Sequence, residues 1–201
     1  NIIFNEQKSF YKVQKHKEVY ELLNKANKFL LKIDDRKLLF SNICELLSQT
    51  DKIQFSFIYD LLSKEIIAQE GDLKQKLLTQ SHYYSDKNKD NIISKTIKWE
   101  TNIIANDFLE KNISIFYDKA KVLDIKSMAC FPIKKFNKVI GTLTIYSKEL
   151  NFFDQEVEIL FDKLISDVTH CLEKIDYEQI RLKQEDELRL SSYAFESSEP
   201  M

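Results

Sequence analysis

With 201 residues, 43% hydrophobic and 12% aromatic, the chain suits one domain with helical extensions and is apolar enough for a core, which excludes disorder along its whole length. Its 30 basic and 32 acidic residues give a formal net charge of -2, and the lysines alternate with acids; a nucleic-acid partner would need clustered basic surface. Three scattered cysteines, Cys44, Cys130 and Cys171, point to reduced thiols and a cytoplasmic setting, and no apolar run suits a bilayer span or a secretory leader.

In chain order, residues 1–16 read as a helical lead-in or a partly ordered arm. From Lys17 the positions Val19, Leu22, Leu23, Ala26, Phe29, Leu30 and Ile33 predict an amphipathic helix. Asp34-Asp35 offers an N-cap for a second helix carrying Leu38, Leu39, Ile43, Leu46 and Leu47, with Cys44 beside the stripe as a small core residue. Ile53–Tyr59 alternates and is rich in aromatic and β-branched residues, as a strand should be, and Lys64–Ala68 is its short partner. Leu73 to Lys89 starts helical and turns polar. Ile92–Trp99 reads as a short helix, Ile103–Ala105 as a short strand, and Phe116–Leu123 as helical.

Ser127–Ile133 and Val139–Ser147 form the clearest hairpin, separated by the polar turn Lys134–Lys138. Of only two glycines and two prolines, Gly141 and Pro132 fall here, where backbone geometry is expected to demand them. Asp154 then caps a long helix. Its residues Phe161, Leu164, Val168, Cys171 and Ile175 step by threes and fours like a coiled-coil seam, which weakens towards Leu182. The first half of this helix is expected to pack on its own domain and the second half on a partner. The order of elements predicts an α+β fold, a central antiparallel sheet of five or six strands covered by helices on both faces.

With these elements in place the chain resembles a GAF domain over residues 17–175. The resemblance rests on Ser127, Phe131-Pro132-Ile133, Val139-Ile140-Gly141, Tyr146-Ser147, and Phe152-Phe153-Asp154 with Glu156; Trp99 and Asn106-Asp107 fit its middle. Residues 176–201 read as a signalling helix, and Asp186–Ser198 is similar to the lead into a PAS domain. The resemblance implies a bacterial sensory module, a homodimer signalling through Phe161, Leu164, Val168, Cys171, Ile175 and Leu182. It would relay to downstream PAS and output domains, either cyclic-di-GMP turnover or a histidine kinase. Because the chain opens on Asn1, it is expected to be a segment of a longer protein, with room for a membrane anchor outside it.

Signatures of chemistry are sparse. Gly71 and Gly141 are too far apart for a phosphate-cradling loop, and His16, His82 and His170 share no metal-ligand spacing, so no metal is expected. Bilin-binding members of the resembled family carry a Cys-His pair that the 116–123 region lacks. Cyclic-nucleotide binders carry an Asn-Lys-x-Phe-x-Asp-Glu set without a counterpart here. Methionine-sulfoxide reductases of this fold need a cysteine pair on mobile loops, whereas Cys44 and Cys171 fall on helices and Cys130 in a strand. The segment is therefore expected not to be an enzyme, and no cofactor is named by its sequence.

What the resemblance implies is a small-molecule pocket between the sheet and the middle segment. Its candidate lining is Phe57, His82, Tyr83, Tyr84, Trp99, Asn106, Phe108, Tyr117, Met128 and Cys130. The same side chains could fill a core instead, making the domain a dimerisation and spacer module. A third reading uses Cys130 or His82 as a redox or haem sensor.

Overall fold

A two-residue apolar period in the strands and a helical period in the flanking segments meet across one sheet. The computed structural model describes residues 2–30, 32–71, 91–107 and 121–196, with side chains between residues 6 and 191. The elements are α1 (Ile2–Leu30), α2 (Arg36–Leu47), β1 (Ile53–Asp60), β2 (Glu65–Gly71), α3 (Ile92–Trp99), β3 (Ile103–Ala105), β4 (Ser127–Lys135), β5 (Lys138–Ser147) and α4 (Gln155–Glu196). The strands form a single five-stranded sheet in the order β2-β1-β5-β4-β3, antiparallel at every step. The fold is α+β, as its sequence predicts.

On one face lie α1, α2 and α4. The stripe of α2, Leu39, Phe40, Ile43, Cys44 and Leu47, packs there with Phe131, Ile133, Leu143 and Ile145 of the strands. Phe161, Leu164, Val168, Cys171 and Ile175 of α4 join the same core. Each fully buried Phe or Leu is worth about 1.5–3 kcal/mol, so this one stripe accounts for much of the hold on α4. The first half of this helix packs on its own domain, as expected, and the assignment of these five residues to a dimer seam is thereby corrected: the chain's own core covers them. Leu182, by contrast, is exposed, as is every residue from Tyr177 to Ser191.

The residues expected as a lead-in are the first half of α1, which is one helix from Ile2 to Leu30. Packing begins at Lys15 and continues through Val19, Leu22, Leu23, Ala26 and Leu30, at helical spacing. Lys15 meets Asp154, and the Cys171 thiol lies 3.3 Å from the Leu30 carbonyl. The two helices therefore run parallel, and their exposed ends leave the domain on opposite sides. Among the described residues no helix is long and apolar enough to cross a membrane.

The caps follow the sequence. Asp35 accepts from Leu38 N–H at 2.7 Å, and Asp154 Oδ1 accepts from Val157 N–H at 3.1 Å. Pro132 falls where β4 has become an edge, because β3 stops opposite Cys130. Gly141 passes so close to β1 that a Cβ there would lie 2.4 Å from the Tyr59 carbonyl oxygen.

Candidate functional site

The opposite face of the sheet carries a second, separate cluster. Strand register aligns Phe57, Thr144, Cys130 and Ile103 in one row, and Phe55, Tyr146, Met128 and Ala105 in the next. Alternation along β5 explains the division: Leu143 and Ile145 face the large core, while Thr142, Thr144 and Tyr146 face this one. Ile92 and Ile93 of α3 complete it. The rings of Phe55, Phe57 and Tyr146 lie 5.8 to 6.3 Å apart, a mutual contact of three aromatics.

Among the described residues, the polar groups beside this cluster are hydroxyls and a thiol. Thr144 Oγ1 donates to Cys130 Sγ at 3.4 Å, and Thr96 Oγ1 donates to the Cys130 carbonyl at 3.5 Å. Burial pushes the Cys130 thiol up, and the hydrogen bond from Thr144 only partly opposes it. Burial also raises the Tyr146 phenol. Both groups stay neutral near pH 7. Among the described residues the face thus offers aromatic surface, hydroxyls and one thiol, a lining suited to a neutral organic molecule.

Of the predicted pocket residues, Phe57, Met128 and Cys130 come together here. His82, Tyr83, Tyr84, Phe108 and Tyr117 lie outside the described residues. Two others are corrected. Trp99 is 55% exposed: helical spacing sets it on the same side as Ile92 and Thr96, but it is the last residue of α3, beside the left-handed cap Glu100, where the helix ends. Asn106 is held by the backbone leading into α4, exchanging hydrogen bonds with Phe153 and accepting one from Asn151 N–H at 3.0 Å. Phe55, Thr96, Thr144 and Tyr146 were missed. Three of these are strand positions, and the alternation of β1 and β5 was the signal that could have found them.

On the helical side, His16 Nε2 lies 3.1 Å from both Asp154 oxygens and Nδ1 lies 2.6 Å from Glu156. These are the only three described residues that cluster as metal ligands would. Lys15, 4% exposed, donates to Asp154 Oδ2 and to the Phe152 carbonyl. Burial would raise the Asp154 carboxyl, but the Lys15 ammonium, the Val157 N–H and His16 outweigh it and hold it at about 2. With an ammonium in place and a helix N-terminus behind it, the cluster is an ion-pair clasp between α1 and α4. Of the remaining thiols, Cys44 is pushed up to about 12 by burial, and burial also raises Cys171. All three cysteines are free and buried.

A five-stranded antiparallel sheet with α1, α2 and α4 on one face and α3 on the other makes a GAF-like fold. No family model matches the chain, and no curated protein does. Solved structures do. The free methionine-R-sulfoxide reductase of Neisseria meningitidis, in complex with its substrate, aligns with a TM-score of 0.65 at 14% identity, over 82% of this chain and 93% of that one. The corresponding fRMsr of Staphylococcus aureus, also with substrate, gives 0.60 at 20% identity over 78% and 94%. The nlh2 GAF domain of A. aeolicus in an inactive state gives 0.57 at 15% identity over 82% and 99%.

These neighbours overturn one expectation. The chain was expected not to be an enzyme, yet free methionine-R-sulfoxide reductases are enzymes built on the same fold. The PAS reading of the tail gains no support from the comparisons, and residues up to Glu196 continue α4.

Proposed function

We propose that this chain is a sensory, regulatory module that takes a small neutral molecule against the α3 face of its sheet and relays occupancy along α4. The observation that carries this reading is the second cluster, apolar but seeded with the hydroxyls of Thr96 and Thr144 and the Cys130 thiol, and separate from the core that holds the helices. Ligand binding would favour one setting of α3 and the strands over another. A differential affinity worth roughly 1–3 kcal/mol suffices for such coupling. In this reading the module works as a homodimer, through exposed residues of α4 such as Ile180 and Leu182, and passes its signal to a PAS domain and a cyclic-di-GMP or kinase output.

A second reading has its own support. Phe57, Met128, Cys130 and Tyr146 are all buried, as in a filled core, which suits a dimerisation and spacer module without a ligand. Native mass spectrometry of the purified chain, followed by a thermal-shift screen of neutral metabolites, separates the two. A co-purifying molecule, or a metabolite that raises the melting temperature in wild type but not in Thr144→Val, supports the sensor. No bound mass and no shift would favour the spacer. Free methionine-R-sulfoxide belongs in the same screen with a dithiol reductant, since turnover of it would replace the sensor reading with a reductase.

A further inference from the structure

The β4–β5 turn holds two consecutive residues in the left-handed region, Phe136 at φ 48° and Asn137 at φ 61°. Tight two-residue hairpins need this backbone, and asparagine or glycine normally supplies it. Phenylalanine at such an angle is strained and persists only where its surroundings over-determine it. Those surroundings belong to α4. The Phe136 N–H donates to Glu173 Oε1 at 3.1 Å, and its ring meets Tyr177 edge-on, 6.2 Å between centroids at 87°. Next to it, Lys135 Nζ lies 2.6 Å from Asp176.

Glu173, Asp176 and Tyr177 lie within about one turn of helix around Ile175, the last buried residue of α4 among those described. The turn therefore grips the helix where it leaves the domain. On its other side Lys134 pairs at 3.4 Å with Glu100, the left-handed C-cap of α3. The two holds on α4 differ in kind. Lys15–Asp154 at its start is largely buried. Lys135–Asp176, at 27% and 31% exposed against 5% and 25% for Lys15–Asp154, is the more open of the two and the more screened by solvent.

We propose that the β4–β5 turn is a releasable clasp that fixes the direction in which α4 leaves the domain. Closed, it joins strand ends, the α3 cap and the helix exit; open, it leaves α4 anchored through Ile175 and free beyond. This goes further than the sensor reading and does not depend on it, since the clasp is tested on the chain without ligand.

Hydrogen–deuterium exchange of the whole chain tests it, with Lys135→Glu, Asp176→Lys, the double reversal and Phe136→Asn. Lys135→Glu should speed exchange at the amides of Lys174–Tyr177 by about fivefold while β1, β4 and β5 keep wild-type protection. The double reversal restores the attraction and should return these amides to the wild-type rate. Phe136→Asn removes the ring but suits the left-handed backbone, so it should open the exit without lowering the melting temperature. Unchanged exchange at the exit in both Lys135→Glu and Phe136→Asn would overturn the proposal. So would an acceleration spread evenly over the sheet, or a double reversal that fails to restore protection.

Discussion

Asn106 and Phe153 exchange two hydrogen bonds: Asn106 Nδ2 donates to the Phe153 carbonyl at 2.8 Å, and the Phe153 N–H donates to Asn106 Oδ1 at 3.0 Å. A side-chain amide at the end of β3 thus mimics a strand partner for the segment that opens α4. Asn106→Ala leaves a donor and an acceptor without these partners and should cost about 2–3 kcal/mol in urea unfolding. Asn106→Asp keeps the acceptor but turns the donor into a carboxylate oxygen facing the Phe153 carbonyl, so at neutral pH its loss should be no smaller than that of alanine. A midpoint unchanged in both variants would show the exchange to be energetically idle.

The clasp at the start of α4 predicts an acid limb. Asp154 has its pKa depressed from 3.8 to about 2, so its contribution is complete above the ordinary value and is lost as pH falls through the folded one. Between about pH 4 and pH 2 the domain should lose on the order of 2 kcal/mol from this group. Lys15→Met removes the main source of the depression, so its stability should be lower at neutral pH and fall less steeply over the same interval. Urea midpoints measured across that range for both proteins check the sign and the size.

Gly141→Ala places a methyl group 2.4 Å from the Tyr59 carbonyl oxygen, which belongs to backbone in the neighbouring strand and can yield only by separating β1 from β5. A loss of about 1–3 kcal/mol is expected, the usual cost of overpacking. Backbone amide shifts should move along both strands and stay fixed in α2. A neutral result would mean that the two strands slide apart at little cost.

The thiols should be silent in the native protein. Cys44, Cys130 and Cys171 are buried, with Cys44 raised to about 12 and the other two raised in the same direction. A disulfide reagent should therefore modify them no faster than the chain unfolds. One rapid equivalent in native buffer, mapped by mass spectrometry to Cys130, would mark a reachable thiol on the α3 face and revive a redox role there.

Elements whose partners are adjacent in sequence were legible in advance. The hairpin of β4 and β5 announced itself through alternation and a polar turn, and α3 and β3 fell at the predicted residues. Asp35 and Asp154 were recognisable as caps because a cap acts within three residues. Asn106 was misread because its partner is 47 residues away and a polar residue in a loop looks the same whether it meets ligand or backbone. The period of Phe161, Leu164, Val168, Cys171 and Ile175 showed that one face of α4 is covered, but a period carries no information about what covers it. Phe57 and Met128 were named from the resemblance; Phe55 and Tyr146 share the strand alternation of Phe57 and Thr144, but the register that sets them beside Met128 and Cys130 joins strands far apart in sequence.

Beyond Ile175, α4 continues for 21 residues to Glu196, and Arg181 bonds Glu178 at 2.8 Å along the helix itself, with Glu185 at 3.9 Å on its other side. Such a rod is about 31 Å long at 1.5 Å per residue. It acts as a lever whose fulcrum is the turn of helix at Glu173–Tyr177. A tilt of about 10° there would carry the far end through about 5 Å. Displacements too small to detect in the sheet would thus be read out, magnified, at Glu196.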